Sequence, residues 1–100
     1  MRPSYAEYVK AAMRKYLRLK RGEVIKLDTQ AEIENWNACN HALSFFAPND
    51  QEILGQIYDS LDSMPQNVRH ISEAYSLPEE AVWGMINRFE DAFAERRGLK

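Results

Sequence analysis

One hundred residues, 45% hydrophobic and 28% charged, make one domain with a sizeable core and the balance of an ordinary soluble globular chain. The single cysteine, Cys39, excludes an intramolecular disulfide and fits a reducing, cytoplasmic compartment. No apolar run approaches membrane-spanning length, and "MRPSYAEYVK" lacks a signal peptide's apolar core.

The net charge of −2 is divided unevenly. Residues 1–27 carry eight basic and two acidic side chains, residues 28–65 seven acidic and no basic ones, and residues 66–100 five basic and six acidic. Such a basic start points to an anionic partner, or to an acidic neighbour within the fold.

The hydrophobic spacing is helical throughout, without sustained two-residue alternation, and predicts an all-α fold. The first helix runs from about Tyr5 to Arg21, with Ser4 and Glu7 at capping-box spacing and Gly22 as a left-handed stop. Its apolar face holds Tyr5, Tyr8, Val9, Ala12, Met13, Tyr16 and Leu19; Lys10, Arg14, Arg18 and Arg21 lie opposite. The second helix, about Gln30 to Phe46, is capped by Asp28 or Thr29 and buries Ile33, Trp36, Cys39, Leu43 and Phe46. Asn40 lies near that stripe and needs a hydrogen-bond partner.

"APND" breaks the chain, and Asn49 with Glu52 starts a third helix, about Asp50 to Ser60, whose core residues are Ile53, Leu54, Ile57 and Tyr58. A fourth helix, about Gln66 to Tyr75, faces Val68, Ile71, Ala74 and Tyr75 inward. Ser76 is the expected cap of a fifth, with Pro78 in its first turn, Glu79 three residues after the cap, and Val82, Met85, Ile86, Phe89 and Phe93 buried. It continues to about Arg97, and Gly98 ends it. The expectation is a single domain, 1–100, in which an N-terminal helical pair (1–47) precedes a C-terminal unit (48–100).

The stretch "ISEAYSLPEEAVWGMINRF" has the layout of a helix-turn-helix. Ala74 is the small residue expected where the second helix crosses the first, Leu77 the apolar residue under the turn, and Val82 the β-branched residue that packs back. With "ALSFFAPNDQEILGQIY" upstream, the pattern resembles region 4, the promoter-reading domain, of major-class bacterial sigma factors. Leu43, Pro48, Asp50, Ile53, Leu54, Ile57 and Tyr58 match the lead-in, and Ile71, Ala74, Leu77, Val82 and Ile86 match the motif. The ending "FAERRGL" is similar to that of small phage-encoded transcriptional regulators. The match covers about residues 42–97, mostly through apolar positions.

The resemblance implies a sigma region 4-like trihelical unit that binds double-stranded DNA in transcription regulation. Two departures stand out. Ser76 replaces the usual turn glycine, and Glu79, Glu80, Glu90, Asp91 and Glu95 make a typically basic recognition helix acidic. The face of that helix opposite its core holds Glu80, Gly84, Asn87, Arg88 and Asp91, with Trp83 at the edge. Asn87 has the chemistry to read adenine, and Arg88 to pair with guanine or phosphate. Phosphate contacts fall to Gln66, Asn67 and Arg69, joined by Lys10, Arg14, Arg18 and Arg21.

The alternative is a helical adaptor that binds RNA polymerase or another transcription protein without touching DNA. The tyrosine-rich face of the first helix is also a candidate surface for a homodimer. Cys39 and His41 diverge on their helix, so no metal and no cofactor is expected. Nor is there a nucleophile–base constellation or a phosphate-cradling loop, so the chain does not read as an enzyme.

Overall fold

Five helices follow one another in the order α1 (Ala6–Lys20), α2 (Gln30–Leu43), α3 (Pro48–Asp59), α4 (Met64–Tyr75) and α5 (Glu79–Arg97). The structure is a computed structural model that describes residues 2–100, and no strand occurs among the described residues. The all-α, five-helix expectation therefore stands.

One apolar cluster draws on all five helices. Val9, Met13 and Tyr16 of α1 meet Ala38, Cys39 and Leu43 of α2; Leu54, Ile57 and Tyr58 of α3; Val68 and Ile71 of α4; and Val82, Ile86, Phe89 and Phe93 of α5. The most extensive contact between elements is α2 against α5, so helices from either side of residue 47 share one core. Ala38 and Ala42 of α2 are fully buried, and Tyr58 of α3 tilts against Phe89 of α5 with ring centroids 5.5 Å apart.

The inward face of α2 is rotated from the expected stripe. Ala38 and Ala42 lie inside, whereas Ile33 is exposed and Trp36 half-buried against Tyr16. On α4, Val68 and Ile71 are buried as expected, but Ala74 and Tyr75 are exposed. The small residue at the turn is instead Ser72, half-buried, whose hydroxyl donates to the Leu77 carbonyl while its own carbonyl accepts from the Leu77 amide.

Helix ends follow the caps that geometry allows. Thr29 accepts from the Glu32 amide, and Gly22 and Gly98 adopt φ of 91° and 69° at the ends of α1 and α5. Ser63 and Gln66 form a reciprocal capping box, which starts α4 two residues before the expected Gln66. The expected boxes at Ser4 and Asn49 do not form, because α1 starts after Tyr5 and Pro48 already occupies the first turn of α3. Nor does Ser76 cap α5. It ends α4 in the left-handed conformation, φ 54° and ψ 44°, and Pro78 precedes α5 without a side-chain cap. The partner Asn40 needed is the Tyr16 hydroxyl, which donates to its Oδ1 at 2.6 Å.

Candidate nucleic-acid interface

The α4–turn–α5 unit carries the residues singled out for DNA reading. Ser76, Leu77 and Pro78 join the helices, and the bonds between Ser72 and Leu77 lock the bend. A left-handed residue is required there, and serine holds the place that glycine fills without strain. Leu77 is half-buried beneath the turn, and Val82 is fully buried against the core, as expected for both.

On α5, Glu80, Asn87 and Arg88 are exposed, with Gly84 half-buried between them. They share one face at spacings of three, four and seven residues. A Cβ added at Gly84 would meet no atom within 4 Å, so the glycine answers no packing need inside the chain. Arg88 does not swing freely: its guanidinium lies 5.2 Å from the centre of the Phe46 ring, and its Nε donates to the Gly84 carbonyl at 3.4 Å. Trp83 is half-buried at the edge of the face, where Arg2 covers it at 5.3 Å.

The expected phosphate contacts are less well gathered. Arg69 is exposed on α4, beside Gln66, whose carboxamide oxygen accepts from the Ser63 amide. Asn67 is 3% exposed, and its amide donates to the carbonyls of Ile57 and Asp62. It ties α4 to α3 and is withdrawn from any phosphate role.

The basic face of α1 is engaged inside the chain. Arg14 donates to the carbonyls of Tyr58, at 3.0 Å, and Ser60, at 2.7 Å, closing the C-terminal end of α3. Arg18 pairs with Glu23, Arg21 with both Glu23 and Asp59, and Lys10 with Glu7. Lys15 pairs with Glu32 on α2. The basic segment thus lies partly against the acidic middle of the chain, the second of the two readings its charge allowed.

A cluster not singled out in the sequence lies beneath α5. Glu90 is 1% exposed; its Oε2 accepts from the Tyr58 hydroxyl at 2.6 Å and from Arg2 at 2.8 Å. Burial raises its pKa above the ordinary carboxylate value, while Tyr58 and Arg2 pull in the opposite direction. Tyr58, desolvated and facing that carboxylate, titrates well above the usual phenol value. The signal was present in the spacing, since Glu90 stands four residues after Ile86 and beside Phe89 on the inward arc. Glu90, counted from the sequence only among the acids of the recognition helix, is in fact part of the buried face.

The tyrosine face of α1 is divided: Tyr16 is buried and Tyr5 half-buried, whereas Tyr8, expected on the apolar face, is exposed and donates to Asn35 at the surface. Cys39 is fully buried and His41 stacks edge-on against Phe45; among the described residues no three potential metal ligands converge. No helix among them is long and apolar enough to cross a membrane. Compared with protein-family models, curated proteins and solved structures, the chain matches none of them.

Proposed function

We propose that this chain is a small DNA-binding protein of transcription regulation, in which α4 and α5 form a helix-turn-helix of the sigma region 4 kind. The observation that supports this best is the Ser76 bend, a left-handed residue where such a turn carries glycine, followed by a helix with Asn87 and Arg88 facing outward. In a major groove, Asn87 would read adenine and Arg88 guanine or a phosphate, with Gly84 allowing close backbone approach. Gln66 and Arg69 would lie over the phosphates beside α4. A phage-derived origin and a cytoplasmic location belong to the same reading, through the resemblance of "FAERRGL" and the lone cysteine.

A second reading is favoured by charge. The exposed acids Glu73, Glu79, Glu80 and Glu95 outnumber the exposed cations Arg69, Arg88 and Arg96 on α4 and α5. Carboxylates beside phosphates weaken binding unless they are paired. An adaptor that docks α5 on a basic partner, such as a component of the transcription machinery, would use the same surface.

Fluorescence anisotropy with mixed duplex DNA, at about 50 and 200 mM salt, separates the two. Binding that weakens with salt supports groove reading. No binding at the lower salt rejects it in favour of the adaptor.

A further inference from the structure

Three ties bring the segment ahead of α1 onto α5. The Arg2 guanidinium pairs with the buried Glu90 carboxylate and lies over the Trp83 ring. Pro3 and Tyr5 share a surface concavity with Asn87, Arg88 and Asp91. The Pro3 carbonyl accepts from the Ala6 amide, so the segment turns directly into α1 at the exposed Ser4. Arg2, Pro3 and Tyr5 therefore lie along the same side of α5 as the candidate reading residues.

The site beneath Arg2 has the chemistry of a guanidinium receptor. It offers a carboxylate oxygen already oriented by the Tyr58 hydroxyl, and an aromatic face suited to a flat, weakly hydrated cation. Yet the fit is incomplete. Among the described residues, Arg2 Nη1 and Glu90 Oε1 are both buried without a hydrogen-bond partner. An unmade bond on each side of an ion pair offsets much of its attraction, because both groups have left water. The Arg2 side chain also keeps 31% of its exposure, so its exchange with solvent is open. Such a contact opens at lower cost than a fully bonded, fully buried ion pair.

We propose that residues 2–5 are a regulatory latch on α5: the Arg2 guanidinium plugs the site formed by Glu90 and Trp83, and its departure bares the Trp83 ring at the edge of the already exposed face that carries Asn87 and Arg88. Glu90 is the positioning residue that holds the plug. The existence of the latch is independent of the partner; its consequence for DNA rests on the function proposed above. Opening removes Pro3 and the Arg2 side chain from the flank of α5 and gives a groove wall more room beside Asn87. The latched protein is accordingly the weaker binder.

The test uses W36F protein, in which Trp83 is the remaining tryptophan, and acrylamide quenching of its fluorescence. R2A should raise the quenching while leaving helical circular dichroism unchanged. Methylguanidinium, added as the free ion, should refill the site and reverse the change, whereas sodium at equal ionic strength should not. E90Q should raise quenching similarly and make R2A nearly silent when the two are combined. Unchanged quenching in R2A, or no reversal by methylguanidinium, overturns the latch; these two readouts suffice even where E90Q folds poorly.

For regulation, R2A should bind duplex DNA several-fold more tightly than the unsubstituted protein. Equal or weaker binding alongside altered quenching overturns the regulatory role. Absence of DNA binding by both proteins rejects the function proposed above and, with it, this role at DNA, while the quenching series still decides the latch.

Discussion

The Tyr58 hydroxyl of α3 donates to the Glu90 carboxylate of α5 across 2.6 Å, in a core otherwise dominated by apolar side chains. With Arg2 as a second donor to the same oxygen, Glu90 joins three parts of the chain that are distant in sequence. Removing Glu90 leaves the buried Tyr58 hydroxyl without its acceptor, while the partly exposed Arg2 can turn to water. E90A should therefore destabilise by about 1–3 kcal/mol, a sizeable share of the total for a domain of this size. Thermal melts check this directly, and a loss below about 1 kcal/mol would show that water reaches the vacated site.

E90Q should behave differently, and the difference depends on pH. The folded-state pKa of Glu90 is raised, chiefly by burial, so the fold binds a proton more tightly than the unfolded chain does. Stability from that proton is fully present below the unfolded value, about 4.3, and is lost as pH rises through the higher folded value. Glutamine keeps an acceptor for Tyr58 without the buried charge. The stability of E90Q minus that of the unsubstituted protein should therefore grow as pH rises from about 4 towards neutrality. A difference that stays flat or shrinks would mean that Arg2 fully compensates the carboxylate.

How far the sequence disclosed this arrangement varied with the helix. The predicted cores of α3 and α5 are all buried, because each combines a strong apolar stripe with one dominant inward arc. On α2 and in the turn that follows it, Cys39, Leu43 and Phe46 are buried as expected, but Ile33 and Trp36 are not, and the inward places go to Ala38 and Ala42, whose small side chains an apolar-mass criterion passes over. Glu90, Asn67 and Arg14 were misplaced for a common reason. Their roles depend on partners 32, 10 and 44 residues away, which periodicity along a single helix cannot supply. The outward positions of α5 were legible because exposure needs no partner.

Ser76 carries strain that a single substitution should relieve. Its φ of 54° is uncommon for a residue with a Cβ, and its side chain is exposed. S76G removes that strain, of about 1–2 kcal/mol, but adds roughly 0.4–1 kcal/mol of unfolded-state entropy. A net gain of about 0.5–1 kcal/mol should raise Tm by roughly 3–5 °C. A fall in Tm would reveal a contact made by the serine hydroxyl that outweighs the backbone term.

Cys39 should be chemically silent in the folded protein. It is fully buried, and burial pushes its thiol pKa up to about 12, so almost no thiolate exists near neutral pH. Alkylation by iodoacetamide at pH 8 should then proceed only through opening of the core, with a rate that follows denaturant as global unfolding does. Rapid labelling of native protein at the rate of a free thiol would place the α2–α5 contact among the weakly held parts of the fold.

Charge reversals on α1 and on α4–α5 should separate folding from binding. Arg14 closes the C-terminal end of α3 with two charge-assisted bonds, so R14A should lower stability by about 2 kcal/mol and R14E by more. R14K should recover only part, because an ammonium does not reproduce the two-pronged geometry of a guanidinium. Loss of DNA binding in R14E would thus report folding as much as contact. Arg69 and Arg88 are exposed, and R69E and R88E should leave the melt almost unchanged while abolishing duplex binding. For contact through α4 and α5 alone, their exposed cations Arg69, Arg88 and Arg96 bound the salt dependence. Neutralising three phosphates gives a slope of about −3 in log K against log salt. A slope near −6 would bring cations outside the exposed face of α4 and α5 onto DNA, and R14E would impair binding beyond its effect on stability if Arg14 were among them.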